Sequence, residues 1–493
     1  MGVIITRLAL DHFRSWDHCV IDLEPGVTII QGANGQGKTN LVEAVEVLST
    51  GSSHRVSSSA PLVERGREAA TIRANVVDTR AQGPGIPGNP VKPEPHSDSK
   101  SALQQGHSVK PSTIQDSADR DGAIAQEYPA TATPTTIEVT IRAHGANRAR
   151  IDGGRSLYLR DILGRVPSMS FTPEDQRLVS GDPAVRRGFI NQAGAMLVPG
   201  YAEVHQRCVK IARQRAALLK QIGKAAADPG AMGVPDLSGL EIWTGQFIEA
   251  GVELTRMRAH MIETLAGPFA SMYDDLAGSA QHAAITYVPS FEEVLAEASP
   301  NQTISRHFQR IYPGEVARGQ NLIGPHRDDL TVTLDGVPAK EFASNGEMWT
   351  MALALKMALF GVIRQTAGTA PIVILDDVFA QLDETRRRQI LDFAVQQNQV
   401  LITAAAAGDI PDVSAYGKDA RIIDVSALRS QTDREETDRL LDDDAIARIA
   451  AARRRNDLHT RPASADAADA ADAAEMPDAG VSAAGATTVE VPA

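Results

Sequence analysis

Cysteine, aromatic side chains and long apolar runs are all scarce in this chain of 493 residues. Its two cysteines, Cys19 and Cys208, lie far apart and lack metal-ligand spacing, which argues against a cysteine metal site and favours a reducing compartment. No window approaches the roughly 18 consecutive apolar residues of a membrane helix, and the first residues do not resemble a signal peptide. We therefore expect a cytoplasmic protein without membrane association.

A basic excess is also missing, because the formal net charge is -13. Phosphate binding needs clustered lysine and arginine, so this sum alone argues against a nucleic-acid partner. From Arg429 to the end, however, 14 acidic residues stand against 8 basic ones, and the remaining chain is only mildly acidic. Two basic clusters occur there: Arg148, Arg150, Arg155, Arg160 and Arg165, then Arg207, Lys210, Arg213, Arg215, Lys220 and Lys224. Each is either a solvated face or a DNA contact.

The length predicts two domains with appended segments. Apolar patterning predicts strands at 3–10 and 18–30, a helix from about Lys38, and amphipathic helices at 201–224 and 240–273. Between about 81 and 135 the chain is rich in Pro, Gly, Ser, Asp and Gln, which is typical of a disordered insertion. The Ala/Asp repeats after Asp444 predict a flexible tail.

A phosphate-binding loop follows the apolar residues 27–30. Residues 32–39, GANGQGKT, fit the P-loop pattern GxxxxGK followed by Ser or Thr, between a predicted strand and a predicted helix. The glycines let backbone N–H groups turn towards phosphates, Lys38 neutralises the β and γ phosphates, and Thr39 supplies a Mg²⁺ ligand. The residues expected around ATP are Gly32, Ala33, Asn34, Gly35, Gln36, Gly37, Lys38, Thr39 and Asn40.

A second acidic motif lies far downstream, where the apolar residues 371–375 end in Asp376 and Asp377. A buried strand that ends in two carboxylates needs a cation or hydrogen bonds to satisfy their charge. We assign Asp376 to Mg²⁺ and Asp377, as the catalytic residue, to the attacking water. The alternative is a strand end with two solvated acids.

The 338 residues that separate Lys38 from Asp376 require a large inserted segment. Shortly before the acidic strand, Ser344 and Gly346 open the apolar helix 351–363, where they form either a second anion site or an ordinary helix cap. After the strand, Asp383 precedes another helix and is a candidate N-cap.

These motifs, in this order, resemble the ABC-type heads of SMC-like proteins. Five blocks narrow the resemblance to the RecF family over about 3–80 and 137–427: GANGQGKTNLVEA, FTPEDQRLVSGDPAVRRGFI, LIGPHRDDL, FASNGE and ILDDVFAQLD. For the GPHRDD segment, 324–329, the residues themselves indicate a turn with a structural ion pair.

The resemblance implies an α/β fold, with an ABC/SMC-type ATPase head built from both chain ends, an inserted, mostly helical lid, and no long coiled coil. It places the head at 1–80 and 137–160 and again at 316–428, the lid at 161–315, the disordered insertion at 81–136 and the acidic tail at 429–493.

The resemblance also implies that ATP binds between two protomers, and that Ser344, Gly346 and Asp383 of one protomer approach the ATP held by the other. ATP would then drive dimerisation. Weak, DNA-stimulated hydrolysis would act as a switch and release the dimer. The implied partners are single-stranded, gapped or linear duplex DNA and proteins of the RecR and RecO type, with recombinase loading at gaps and support of the SOS response. The expected DNA contacts are Arg207, Lys210, Arg213 and Lys220.

Two departures from the family pattern stand near the nucleotide. Glu347-Met348-Trp349 replaces the usual Gln-Gln-Arg and puts an acid near the expected γ-phosphate. The ABC switch histidine has no counterpart at 401–404, where Thr403 is the candidate substitute.

Three other classes of protein share a P-loop. A transporter ATP subunit would carry Ser-Gly-Gly-Gln and a glutamate after the Walker B aspartate, and needs about half this length. An SMC-type clamp would need a coiled-coil arm, for which 140–320 holds too few heptads. A metabolic kinase would form no ATP-dependent dimer and would not respond to DNA.

Overall fold

Strands and helices alternate through most of the computed structural model, which describes residues 2–56, 58–79, 134–226, 238–278, 281–405, 407–410, 412–416 and 419–429. All of them belong to one compact unit, Met1–Thr432. The strands of this part of the chain are β1 (Val3–Phe13), β2 (Trp16–Asp22), β3 (Gly26–Gln31), β4 (Ala69–Asp78), β5 (Thr135–Arg142), β6 (Arg148–Ile151), β7 (Leu157–Tyr158), β8 (Ser168–Phe171), β9 (Ala283–Val288), β10 (Asp329–Leu334), β11 (Val337–Pro338), β12 (Ile372–Asp376), β13 (Gln399–Ala404) and β14 (Ala420–Asp424).

The α-helices of the same residues include the two long amphipathic segments expected from the sequence. They are α1 (Lys38–Thr50), α2 (Arg177–Ser180), α3 (Pro183–Leu197), α4 (Tyr201–Ala226), α5 (Ser238–Ala277), α6 (Glu293–Ala296), α7 (Asn301–Arg318), α8 (Ala339–Phe342), α9 (Asn345–Ala367) and α10 (Glu384–Ala394). The helices predicted at 201–224 and 240–273 are confirmed as α4 and α5.

Three sheets organise the strands. An antiparallel sheet has the order β2-β1-β4-β5-β6-β7, a parallel sheet has the order β14-β3-β13-β12-β8, and a small antiparallel sheet has the order β11-β10-β9. The parallel sheet draws strands from distant parts of the chain. Strand β13 lies between β3 and β12 and pairs with both. The end of the P-loop strand β3 and Asp376, at the end of β12, therefore lie at the same edge of the sheet.

One prediction about strands was wrong. The single strand expected at 18–30 is two strands, β2 and β3, which belong to different sheets. Between them lie Leu23, Glu24 and Pro25, and Gly26, the first residue of β3, has a φ of 88°. Proline lacks an N–H for a strand ladder and glycine adopts a positive φ easily, so this pair ends one strand before the next begins.

The parallel sheet carries a hydrophobic core on each face. Successive residues of β12 alternate between them: Val373 and Leu375 pack into the core that contains α9, while Ile372 and Ile374 pack into the core with α1 and the antiparallel sheet. This alternation follows from the two-residue period of a strand. The sheet edge that ends in the acidic motif is therefore held between two packed layers.

Helix α9 is the centre of the first core. By length and composition alone it could span a membrane, with a mean hydropathy of 1.3, but 78% of its apolar window is buried inside the protein. A helix that is apolar on all sides is expected in the middle of a layered core.

The segment between the two halves of the parallel sheet has a core of its own. Helices α4, α5 and α7 pack around Phe247, Phe291 and Phe308, whose ring centroids lie 6.0–6.2 Å apart. The division into head and lid stays a prediction, and β8, inside the range predicted as the lid, is a strand of the parallel sheet.

Most of the predicted insertion, 81–136, and tail, 429–493, lies outside the described residues. Strand β5 begins at Thr135, two residues inside the predicted insertion. Arg429, the first residue of the predicted tail, has defined contacts, which are described below.

Candidate nucleotide-binding site

The predicted P-loop connects β3 to α1. Gly35 and Gly37 have φ values of 84° and 96°, a region that other residues rarely adopt. A Cβ added at Gly37 would lie 2.8 Å from Ser15 Oγ and 2.9 Å from Trp16 Nε1, so the close packing of the loop on β2 also requires glycine there. The strand, loop and helix thus have the arrangement that the sequence predicts.

Lys38 is buried inside this loop. Its Nζ donates hydrogen bonds to the carbonyl oxygens of Gly32, at 2.8 Å, and Ala33, at 3.3 Å. A glycine-rich loop that encloses an ammonium group at the start of a helix has donors that phosphate oxygens need. The residues present therefore fit a nucleotide phosphate.

Thr39 and Asp376 meet, although 337 residues separate them. Thr39 Oγ1 donates a 3.0 Å hydrogen bond to Asp376 Oδ1, and Thr403 Oγ1 donates one of 2.6 Å to the same oxygen. Burial, reinforced by the neighbouring Asp377, raises the pKa of Asp376, while the bonds from Thr403 and Thr39 oppose that rise. A buried carboxylate beside a hydroxyl is the usual donor set of a P-loop Mg²⁺ site.

Asp377 follows directly in a left-handed conformation, with a φ of 50°. Its backbone N–H donates to Thr403 Oγ1 at 3.0 Å, so Thr403 fixes both acidic residues. Within the described residues the Asp377 carboxylate accepts no hydrogen bond, and it is only half-buried. The geometry leaves that carboxylate available to a water molecule.

Ser344 caps helix α9 through a reciprocal pair of contacts with Glu347. The Glu347 carboxylate accepts from Ser344 N at 2.7 Å and Ser344 Oγ at 2.8 Å, and Glu347 N donates back to Ser344 Oγ at 3.3 Å. Hydrogen bonds from Gln281 and Ser344 lower the pKa of Glu347. The helix-cap alternative is therefore present in the structure, and the residue that departs from the family pattern supplies half of it.

Gly346 and Asp383 approach one another through Arg386. Asp383 is the N-cap of α10 and forms an ion pair with Arg386, and a Cβ at Gly346 would lie 2.6 Å from Arg386 Nη2. The starts of α9 and α10 thus form one polar edge. Among the described residues, no hydrogen bond joins Ser344, Gly346 or Asp383 to the P-loop of the same chain.

Residues 7–89 match the AAA domain family. The chain is 58% identical to the DNA replication and repair protein RecF of Bifidobacterium longum subsp. infantis, over 86% of this chain and 89% of that protein. The proteins of the same name are 56% identical in Bifidobacterium adolescentis, over 88% and 93%, and 35% identical in Beutenbergia cavernae, over 83% and 95%. The chain belongs to the RecF family.

The fold agrees with that membership. A solved structure of the recombination mediator protein RecF-ATPrS in the RecFOR pathway has a TM-score of 0.65 at 21% identity, covering 86% of this chain and 97% of that one. The predicted fold class, an ABC/SMC-type α/β ATPase head, is confirmed, and the described residues form no long coiled coil.

The second basic cluster of this RecF-family chain is less uniform than its sequence suggests. Lys210, Arg213 and Lys220 are exposed on α4, as expected for DNA contacts. Arg207 is exposed too, but it pairs with Glu253. The inclusion of Arg215 was wrong, because its guanidinium is fully buried against Glu315. In the first cluster, Arg148 and Arg160 pack against the ring of Tyr158.

The GPHRDD segment contains the structural ion pairs that its residues predict. Asp328 is fully buried and accepts from Arg258 Nη1 at 2.7 Å. Asp329 accepts two bonds from Arg186, at 2.6 and 2.8 Å. The first pair ties α5 to the loop before β10, and the second ties α3 to β10 itself.

Arg429 is a functional candidate that the sequence does not indicate, because it is the first residue of the predicted tail. Its Nε donates to the carbonyl of Gln36 at 2.9 Å, and its guanidinium lies 4.6 Å from the centroid of the Trp16 ring. Trp16 Nε1 in turn donates to the carbonyl of Gly37 at 3.2 Å. Together they hold two consecutive P-loop carbonyls on the outside of the loop. No local pattern marks a contact that spans 393 residues.

Proposed function

We propose that this RecF-family chain is an ATP-dependent DNA-binding protein of recombinational repair and replication restart. The observation that carries the proposal is the meeting of Thr39, Asp376 and Thr403 beside a P-loop that encloses Lys38. Such a site binds a nucleotide with its metal ion, and the effect of binding depends on what the nucleotide-bound protein contacts. The role is therefore that of a switch.

ATP and Mg²⁺ are the proposed cofactors. The P-loop amides and Lys38 would hold the phosphates, and Thr39 and Asp376 would hold Mg²⁺, which supplies charge neutralisation at the phosphate oxygens when bound. Oδ2 of Asp376 receives no hydrogen bond from the described residues, so it is free for this role. Asp377 would orient the attacking water and accept its proton.

The second half of the site would come from another copy of the chain. Ser344, Gly346 and Asp383 lie on the polar edge at the starts of α9 and α10, and the positive end of a 23-residue helix dipole points outward there. In the part of the chain that the structure describes, this edge makes no hydrogen bond with its own P-loop. ATP held between the two surfaces would join the protomers, and weak, DNA-stimulated hydrolysis would release them.

DNA is the proposed target of the dimer. The relatives are named DNA replication and repair proteins, and the solved neighbour is described as a recombination mediator of the RecFOR pathway. On this basis we propose binding to single-stranded, gapped and linear duplex DNA, action with RecR- and RecO-type proteins to load recombinase at gaps, support of the SOS response, and a cytoplasmic location. Lys210, Arg213 and Lys220, exposed on α4, are the proposed contacts, with Arg207 beside them.

Sedimentation velocity tests the coupling of nucleotide, dimer and DNA. We expect ATP with Mg²⁺ to convert the wild type to a dimer that co-sediments with a gapped duplex. Lys38→Met should abolish nucleotide binding and Ser344→Arg should abolish dimerisation while nucleotide binding persists. Lys340→Met, which removes an exposed lysine away from the P-loop, is the matched control. ATP binding without dimerisation or DNA binding in the wild type would refute the proposal.

A further inference from the structure

A cavity of about 430 Å³ lies between α4, α5 and the loop 320–327, away from the nucleotide-binding site. We call it the loop cavity. Its volume falls within the range of roughly 300–1,000 Å³ that is usual for ligand sites. Pro325, His326 and Arg327 of the GPHRDD segment line this cavity. The ion pairs of Asp328 and Asp329 do not account for this part of the segment.

Positive charge dominates the loop cavity. Its lining includes Arg187, Arg213, Arg258 and Arg327, and no aspartate or glutamate is among the described residues that line it. Arg258 is neutralised by Asp328 behind the wall. Among the described residues, the other three form no ion pair, and Arg187 and Arg327 donate only to backbone carbonyls of Asp328 and Asn321. Three arginines without carboxylate partners around one concave surface offer the donors that an anion needs.

The loop that carries Arg327 is held firmly. Gly324 has a φ of 129°, and a Cβ there would lie 2.4 Å from Phe247 Cζ. Asp328, at the end of the loop, accepts from Arg258 and from Ser290 N at 2.8 Å, and also from the Tyr287 hydroxyl. The arginine rim is therefore positioned before any ligand arrives, which reduces the entropic cost of binding.

The rest of the cavity wall is apolar or uncharged. Cys208, Ala212, Ala216 and Leu254 line it beside Phe247. Burial lowers the pKa of the His205 imidazole to about 4, so this lining ring is neutral at pH 7. A charged rim beside an apolar wall suits a ligand in which an anionic group is attached to a flat apolar group. An acidic protein segment would contact the arginines but would leave the apolar wall uncovered.

We propose that the loop cavity binds one nucleotide of a single-stranded stretch of DNA, with its phosphate on Arg187, Arg213 and Arg327 and its base against the apolar wall. This inference rests on the proposed function and adds to it the place where a single strand binds. Bases of a single strand can leave the stack and enter a pocket, whereas those of an intact duplex are paired. The cavity would thus favour gapped over continuous duplex DNA.

Fluorescence anisotropy with the full chain, ATP and Mg²⁺ tests this assignment on a labelled oligo-dT and a blunt duplex. We expect the double variant Arg213→Gln/Arg327→Gln to weaken oligo-dT binding about tenfold and to lower the slope of log affinity against log salt by about 0.7, for the one phosphate that loses its contacts. Ala216→Phe fills the cavity without changing charge, and should weaken oligo-dT binding while leaving duplex binding unchanged. Thermal melting and ATP affinity should match the wild type.

The double variant Arg310→Gln/Arg318→Gln is the matched control, because both arginines are exposed on α7 and do not line the cavity. Equal losses in this control would mean that net charge alone is responsible, which would overturn the inference. Unchanged oligo-dT binding in both cavity variants would overturn it as well, and weaker binding of polyglutamate with unchanged DNA binding would assign the cavity to an acidic protein. A wild type that binds no DNA would overturn the proposed function together with the cavity.

Discussion

Thr403 and Asp376 lie opposite one another on the adjacent parallel strands β13 and β12, with Thr403 Oγ1 2.6 Å from Asp376 Oδ1. The same hydroxyl accepts the N–H of Asp377 at 3.0 Å. One side chain therefore fixes the carboxylate proposed to bind Mg²⁺ and the backbone of the residue proposed to orient water. Thr403 thus contacts both acidic residues, and its role as the substitute for an ABC switch histidine stays a prediction.

Replacing Thr403 with valine should show what its hydroxyl contributes, because valine has nearly the same shape. Valine fills the same space in the strand but leaves the Asp377 N–H without its acceptor and removes one of the two hydroxyl donors to Asp376, at a cost of about 1–3 kcal/mol in unfolding free energy. Mg²⁺ should be required at higher concentration for ATP binding. Urea denaturation and a Mg²⁺ titration measure the two effects. Thr403→Ser keeps the hydroxyl and should behave like the wild type, and equal losses in both variants would contradict the explanation.

Asp376→Asn should have opposite effects with and without ligand. Burial disfavours the Asp376 charge and raises its pKa, so the neutral amide should make the nucleotide-free protein more stable. The variant should then gain little stability from ATP with Mg²⁺, because it lacks the anionic metal ligand. Thermal melting with and without Mg²⁺-ATP checks both effects. A variant less stable than the wild type without ligand, yet stabilised normally by Mg²⁺-ATP, would exclude a metal role for Asp376.

Glu347→Gln should strengthen ATP-driven dimerisation. Glutamine can complete the capping box of α9, and Glu347 is near the surface, so the unfolding free energy should change by less than about 0.5 kcal/mol. The variant removes an anion near the proposed γ-phosphate position. Sedimentation with ATP should therefore show dimers at lower protein concentration. Glu341→Gln removes an exposed charge from α8 and should leave dimerisation unchanged.

The pH dependence of stability provides a second test of Glu347. Its pKa is lowered in the folded protein, so its contribution is present above the ordinary glutamate pKa and is lost as the pH falls through the lowered value. The stability difference between the wild type and Glu347→Gln should therefore be constant near pH 7 and shift in favour of the variant in acid. A difference that does not change with pH would mean that the carboxylate is not engaged with Ser344 in solution.

Local patterns were enough to predict the parts of the site that are built from neighbouring residues. The P-loop needs a strand, glycines and a helix start within a dozen positions, and the Asp383 cap needs one helix end, so both were found from the sequence. The break between β2 and β3 was missed although Pro25-Gly26 marks it. Apolar residues continue on both sides of these turn residues and hide the break in the pattern.

Contacts between distant segments could not be predicted in the same way. Arg429 reaches the P-loop across 393 residues, and Arg215 pairs with Glu315 across 100. Charge counts treat a buried arginine and an exposed one alike, so the α4 cluster appeared uniform. Only the packing of α4 against α7 shows that one of its members is structural.

The contact between Arg429 and the P-loop should affect nucleotide affinity. Arg429→Met removes the donor to the Gln36 carbonyl, and Trp16→Phe removes the donor to the Gly37 carbonyl, while both keep much of the local packing. Each should weaken ATP binding by about three- to tenfold, since a net hydrogen bond contributes about 0.5–1.5 kcal/mol. A fluorescent ATP analogue gives the affinity, and Arg429→Lys should restore part of it. Arg421 lies on β14 and pairs with Glu24 away from the loop, so Arg421→Met should bind ATP like the wild type.

Arg215→Met should lower the unfolding free energy, whereas the DNA affinity of the folded protein should not depend on Arg215. The guanidinium donates to both carboxylate oxygens of Glu315, at 2.9 and 2.6 Å, and to Thr244 and Asn321, all in a buried setting. Removing it leaves the Glu315 charge buried without its cation, which costs about 3–5 kcal/mol of unfolding free energy. The double variant Arg215→Met/Glu315→Met should recover most of that loss, because the unpaired charge is gone. Urea denaturation measures the stabilities, and oligo-dT anisotropy on the folded double variant should match the wild type. A single variant with normal stability and reduced DNA affinity would instead return Arg215 to the DNA-binding surface.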